Sequence, residues 1–279
     1  MNEKMKKKDR VTLAIFVFVT ITAGGYGYLV DQILAEQPKG NSLGMGLWLV
    51  LPFLTGVILR ILNRDLKQIG FRFYIKNHLK WYIFSFVLFP CVMLVSIIVA
   101  KILGGFVVND VELSGLFGMM LGTFLANCVK NIFEEFAWRG CLVPYLEKTG
   151  MNDWFLYLVS GFVWGSWHIT YYLFFLPDDY FTERSRPMMV VAGIIIMMFW
   201  SPVFVELRRL TNSVWPCVIL HSMEDAVPTL LFVTAGVFQM KESFSVALDP
   251  ISGMIPVAMV FASGLVLRKY RRRDAGVCT

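Results

Sequence analysis

An all-α, polytopic membrane bundle of about eight transmembrane helices is what the sequence predicts, and three observations predict it. Hydrophobic residues make up 57% of the 279 residues and charged residues only 16%, where soluble domains carry about a quarter. Mean hydropathy is +0.62. The apolar residues gather into runs of about 20, the length that crosses a bilayer as a helix, and the basic residues gather at the ends and between runs. A net charge of +6 is therefore read as a topology signal, and nucleic acid is excluded as a partner.

Taken in order, a basic leader with Lys4, Lys6, Lys7, Lys8 and Arg10 precedes the first run, Val11 to about Leu34. That run is longer than a signal-peptide core and lacks a clear small-x-small cleavage site, so an uncleaved first span is expected. Pro38 and Gly40 break the chain before the second span, about Leu43 to Leu62. The link Asn63 to Lys80 is rich in Arg and Lys and reads as cytoplasmic. The third span, about Trp81 to Leu103, leads through a weakly acidic link to a fourth that begins near Ser114 and continues to about Lys148. The fifth covers about Asp153 to Leu176, followed by a polar link with Asp178 and Glu183. The sixth, about Pro187 to Leu207, ends at Arg208 and Arg209; the seventh is about Ser213 to Val233, and the eighth, about Ile251 to Leu267, runs into Arg268 to Arg273. An even number of spans with two basic termini predicts both termini in the cytoplasm. A single domain over residues 1–279 is expected, with no internal repeat or barrel-like alternation. Five cysteines, Cys91, Cys128, Cys141, Cys217 and Cys278, form no C-x-x-C or cysteine-histidine spacing, which argues against a disulfide framework or a zinc knuckle.

The polar exceptions point to chemistry. Glu134, Glu135 and Arg139 fall inside an apolar run, where each charge costs about 2.5–3.5 kcal/mol on the lenient insertion scale. On a helix Glu135 and Arg139 stand at i and i+4 with the acid first, the favourable order for an ion pair, while Glu134 points about 100° away. Of three histidines, His168 and His221 lie inside spans and His78 in a basic link; Asp225 follows His221 at i+4. Lys130, four residues before Glu134, is a candidate partner for that carboxylate or an amine reaching into a polar cavity. Ser166 and Ser222 lack the glycine-framed elbow of a serine nucleophile. Transport would call for internal duplication and broken helices in corresponding positions, and neither is visible.

These residues resemble the CPBP intramembrane proteases, the CAAX protease and bacteriocin-processing family also called Abi. That family's pattern is Glu-Glu-x-x-x-Arg, then aromatic-x-x-x-His, then His-x-x-x-Asn or Asp. Glu134, Glu135 and Arg139, then Trp164 and His168, then His221 and Asp225 follow that order. Trp138-Arg139-Gly140, Leu142-x-Pro144 and Trp215-Pro216 also match the family's phrasing, and the likeness covers about Gly118 to Val227. Two positions depart: Trp164 stands where the family commonly has Phe, and Asp225 where its best-studied branch has Asn. An ionised carboxylate cannot donate to an oxyanion, so Asp225 is expected either to be protonated or to orient His221.

The resemblance implies a metal-independent glutamic endopeptidase with catalytic residues Glu134, Glu135, Arg139, His168, His221 and Asp225. Its substrate would be a peptide or protein that is lipidated or membrane-associated, and its place a bacterial cell membrane. The chemistry of the residues agrees: Glu134 as general base to a water shared with His168, and His221 at the oxyanion. Two alternatives stay open at this point. One is a zinc-dependent CAAX-type metalloprotease using Glu134, His168 and His221, although no His-Glu-x-x-His helix is present. The other is a non-catalytic membrane binding or immunity protein.

Overall fold

The computed structural model describes residues 6–34, 36–111, 114–181, 185–274 and 276; Lys4, Glu183 and Cys278 lie outside them. The described residues are mostly helical and consistent with a helical membrane bundle. Contacts gather into two compact units, one of residues 1–71 and 133–201, the other of residues 72–132 and 202–279.

In the first unit α1 (Lys7–Ile33) packs along α2 (Leu43–Leu62). Ser42 starts α2 by accepting from the amide of Met45 at 3.0 Å, a side-chain cap for an otherwise unanswered N–H. A short 3-10 turn, Leu66–Ile69, follows. The unit also holds the end of α4 (Leu116–Ala137), a π turn Trp138–Leu142, α5 (Val143–Glu147) and α6 (Asp153–Trp167). Gly150, at φ +72°, turns the chain between α5 and α6 in the left-handed region that glycine tolerates. A second π turn, Tyr171–Phe175, precedes α7 (Arg186–Thr211). Phe16, Trp48, Trp138, Trp164, Trp167 and Tyr145 form the buried core of this unit.

The second unit contains α3 (Ile75–Ile102), most of α4, the end of α7, α8 (Trp215–Pro228) and α10 (Met254–Asp274). Between them lie β1 (Phe106–Val108), β2 (Phe238–Met240) and α9 (Glu242–Leu248). The two strands pair antiparallel, Phe106 opposite Met240 and Val108 opposite Phe238. Here α3 packs on both α8 and α10. Helix α8 is buried on nearly every side, which explains why its sequence shows little outward polar face.

Six helices among the described residues are long and apolar enough to cross a membrane: Lys7–Ile33, Leu43–Leu62, Ile75–Ile102, Leu116–Glu147, Arg186–Thr211 and Trp215–Thr234. The other two expected spans are also helical. The fifth is divided into α6, of 15 residues, and the π turn after His168. The eighth, α10, takes Arg268 to Arg273 into its C-terminal turns, which adds charge to any window long enough to span. The strand pair and α9 were not expected; each β-strand has only three residues, too few for an alternating pattern to register. Phe18, Ile58, Leu94 and Phe117 stand exposed on the long helices, an apolar exterior suited to lipid.

Candidate active site

The residues singled out in the sequence fall into one group in each unit. In the first, α4 carries Glu134 and Glu135 to the edge of the π turn. The cause of that turn is local: four residues after Gly140 comes Pro144, whose missing N–H and bulky ring interrupt the regular i to i+4 ladder. The chain widens instead, and the amide of Val143 reaches the carbonyl of Trp138 five residues back. Arg139 lies in this turn and donates from Nη1 to Glu135 Oε1 at 2.9 Å, with both side chains fully buried. Its guanidinium sits 4.2 Å from the centre of the Trp164 ring, so the aromatic of the second motif lies under the arginine of the first as a cation-π platform. Glu134 is 3% exposed and, one residue away from Glu135, projects from a different side of α4.

Trp164 and His168 come from α6. Asn152 caps its start, accepting from Phe155 at 3.0 Å. Gly161 and Gly165 form a small-xxx-small face that lets the helix approach α7 backbone to backbone; a Cβ on Gly165 would lie 2.6 Å from Ile194 Cα. His168 closes α6, 9% exposed, with Nδ1 3.0 Å from the carbonyl of Trp164. A carbonyl only accepts, so Nδ1 carries the proton, and in the neutral ring Nε2 is then the acceptor. Trp48 fixes the wall around it. Its indole stacks on Trp167 at 3.8 Å and donates to the Trp167 carbonyl at 2.9 Å. Tyr172 stacks against the imidazole at 5.9 Å.

In the second unit, Pro216 occupies the first turn of α8, where its lost N–H costs little. His221 and Asp225 follow on one face, with Glu224 beside them. His221, 5% exposed, meets Phe204 edge-on at 5.8 Å. Its Nε2 lies 3.9 Å from both Glu224 Oε2 and Asp225 Oδ2, near but outside hydrogen-bond reach. The partners of Asp225 come from α4: Lys130 Nζ at 2.9 Å and the Asn131 amide at 2.7 Å. Lys130, weighed above as a partner for Glu134, thus reaches Asp225. Asn131 also donates to Ser222 Oγ at 3.3 Å and is fully buried.

Among the described residues one group could hold a metal ion, His221, Glu224 and Asp225, with ligand atoms within 4.8 Å of one another. Its donor set, one imidazole and two carboxylates, suits zinc. Against that fit, an ammonium already stands 2.9 Å from Asp225 and would compete with a cation for the same oxygen.

Sequence reasoning missed Asn131, Glu224 and Trp48. Asn131 was legible in part, since it stands three residues before Glu134 on the same helix, where i and i+3 side chains are neighbours. Glu224 was overlooked because it adjoins the motif residue rather than sharing its face. Trp48 lies 119 residues from Trp167, and nothing local signals such a contact.

In comparison with known families, residues 113–227 match the family described as Type II CAAX prenyl endopeptidase Rce1-like. A search among curated proteins gave no match.

Proposed function

We propose that this chain, whose residues 113–227 fit the CAAX prenyl endopeptidase family model, cleaves its peptide or protein substrate with a water activated by Glu134. One observation carries the assignment. Of two adjacent buried carboxylates, Glu135 is committed to Arg139 at 2.9 Å, while Glu134 leaves α4 about 100° away from it. Two neighbouring acids that face different sides of α4 can serve separate tasks, Glu135 in the pair with Arg139 and Glu134 in proton transfer.

In the proposed reaction Glu134 takes a proton from water as the oxygen attacks the scissile carbonyl carbon. A C–O bond forms, the carbonyl π pair moves to oxygen, and collapse breaks the C–N bond while that proton passes to the leaving amine. His168 is assigned to the water: with Nδ1–H held by Trp164, Nε2 can accept a hydrogen bond from it. His221 is assigned to the oxyanion. Asp225 receives donors from Lys130 and Asn131, which supports an accepting, orienting role for it rather than a donating one. We further propose an integral protein of a bacterial cell membrane with both termini cytoplasmic, acting over residues 1–279 as one catalytic domain on a membrane-associated, lipidated substrate, with no cofactor. A second reading, a zinc-dependent enzyme, draws on the cluster His221, Glu224 and Asp225, a different ligand set from the Glu134, His168 and His221 expected from the sequence.

The test is cleavage of a quenched, prenylated peptide by purified protein in lipid, before and after exhaustive chelation, with metal content measured on the same sample. Retained activity after chelation, with Glu134→Gln folded but slower by about 10²–10⁴, is the expected result. Activity that vanishes on chelation and returns with stoichiometric zinc would overturn the metal-free mechanism, and full activity in Glu134→Gln would overturn the role of that residue.

A further inference from the structure

Gly140 follows Arg139 in the π turn, and in a regular α-helix its carbonyl would receive the amide of the residue four on, which is Pro144 and has none. A donor arrives from elsewhere in the first unit. Arg60, near the C-terminus of α2, donates from Nη2 to the Gly140 carbonyl at 2.9 Å. Its Nη1 donates to Asp65 Oδ2 at 2.8 Å and to Gln68 Oε1 at 3.3 Å, and its plane lies 4.4 Å over the Tyr145 ring. This side chain is fully buried.

The same cluster grips the far side of Pro144. Asp65 accepts from the Tyr145 hydroxyl and from Lys148, each at 3.3 Å, and Lys148 also holds Asp9 at 3.0 Å. Asn63 donates to Tyr145 at 2.9 Å. Ile69 closes the remaining side: a Cβ on Gly140 would lie 2.9 Å from its Cγ1 and 3.0 Å from its carbonyl oxygen. Only a planar fork reaches a backbone oxygen, a carboxylate and a ring face together, so lysine is no substitute here.

We propose that Arg60 is a positioning residue for peptide cleavage: its guanidinium replaces the amide that Pro144 lacks, sets the width of the turn bearing Arg139, and so aims Glu135 and Glu134. This rests on the reading of Glu134 as the reacting carboxylate. Arg60 touches no reacting atom; it acts through the helix.

The experiment uses the full chain in lipid nanodiscs. Wild type, Arg60→Lys and Asp65→Asn are compared by hydrogen exchange, by thermal unfolding, and by kcat and KM on the quenched peptide. Arg60→Lys should raise exchange across residues 138–147 by about tenfold while α1 and α3 stay as in wild type, a local rather than global opening. With KM nearly constant, kcat should fall by about 10²-fold, the effect of a misplacement near 1 Å. Asp65→Asn should show the same pattern more weakly, and answers the question if Arg60→Lys does not accumulate. Adding Pro144→Ala to Arg60→Lys returns the missing amide and should recover part of kcat. Unchanged exchange in residues 138–147, a loss of kcat that only tracks the folded fraction, or no recovery with Pro144→Ala would overturn the proposal. Should wild type itself cleave nothing, the functional reading fails, and the clamp is decided by the exchange arm alone.

Discussion

Replacing Arg139 with methionine keeps a long flexible side chain and removes the counter-charge of Glu135. The pair is joined at 2.9 Å with neither partner exposed, so the variant takes the Arg139 charge away from a buried carboxylate. Breaking such a pair costs about 3–5 kcal/mol, and the contact with Trp164 at 4.2 Å adds about 0.5–2 kcal/mol. Every 1.4 kcal/mol is tenfold, so the pair loss alone lowers the folded-to-unfolded ratio by about two to three and a half powers of ten. Glu135→Leu should cost a similar amount, because it takes the carboxylate away from the buried guanidinium. The double variant Glu135→Leu/Arg139→Met removes both charges together and should lie within about 2 kcal/mol of wild type, since apolar replacement of a buried pair is often neutral. Reversible unfolding in mixed micelles, followed by tryptophan fluorescence, measures all three; membrane protein levels provide an independent check. Two results would refute the reasoning: Arg139→Met unfolding like wild type, or a double variant whose cost equals the sum of the singles, since contacting residues should couple.

Three further outcomes are expected. His168→Ala and His221→Ala should each abolish most turnover with folded protein retained, and the double variant should lose little more than either single, as residues serving one transition state do; strictly multiplicative losses in steady-state assays would separate the two histidines. Gly165→Val should destabilise by about 1–3 kcal/mol through overpacking, because even its Cβ would meet Ile194 Cα at 2.6 Å; a thermal-shift assay in detergent that finds no loss would show that α6 and α7 are not in close contact there. Arg186 hydrogen-bonds Asp178 at 2.5 Å and, with Lys39, holds its carboxyl below the ordinary 3.8. Its contribution is therefore complete above pH 3.8 and lost as pH falls through the lower folded value, so Asp178→Asn should flatten acid unfolding only below that pH, as circular dichroism titration can check.

Much of this architecture lies in the sequence itself. Apolar run length and the placement of basic residues determine the helical membrane class, because a bilayer leaves the backbone few ways to satisfy its hydrogen bonds. The spacing of Glu135 and Arg139 determines their pair, since four residues on a helix is a contact whatever surrounds it. The π turn Trp138–Leu142 before Pro144 was not legible in the same way, since the fourth span reads as one apolar run to about Lys148. Other features depend on partners far away in the chain. Which group would answer Asp225, and that Trp164 would lie under Arg139 and Trp48 beside His168, are contacts between helices, and helical periodicity describes one helix at a time. Arg60 shows the difference most clearly: in the sequence it is a basic residue at the end of a span, a position ordinarily read as an interfacial anchor. Only tertiary packing brings it, fully buried, to a carbonyl 80 residues away, because a contact between two helices is not written in the periodicity of either.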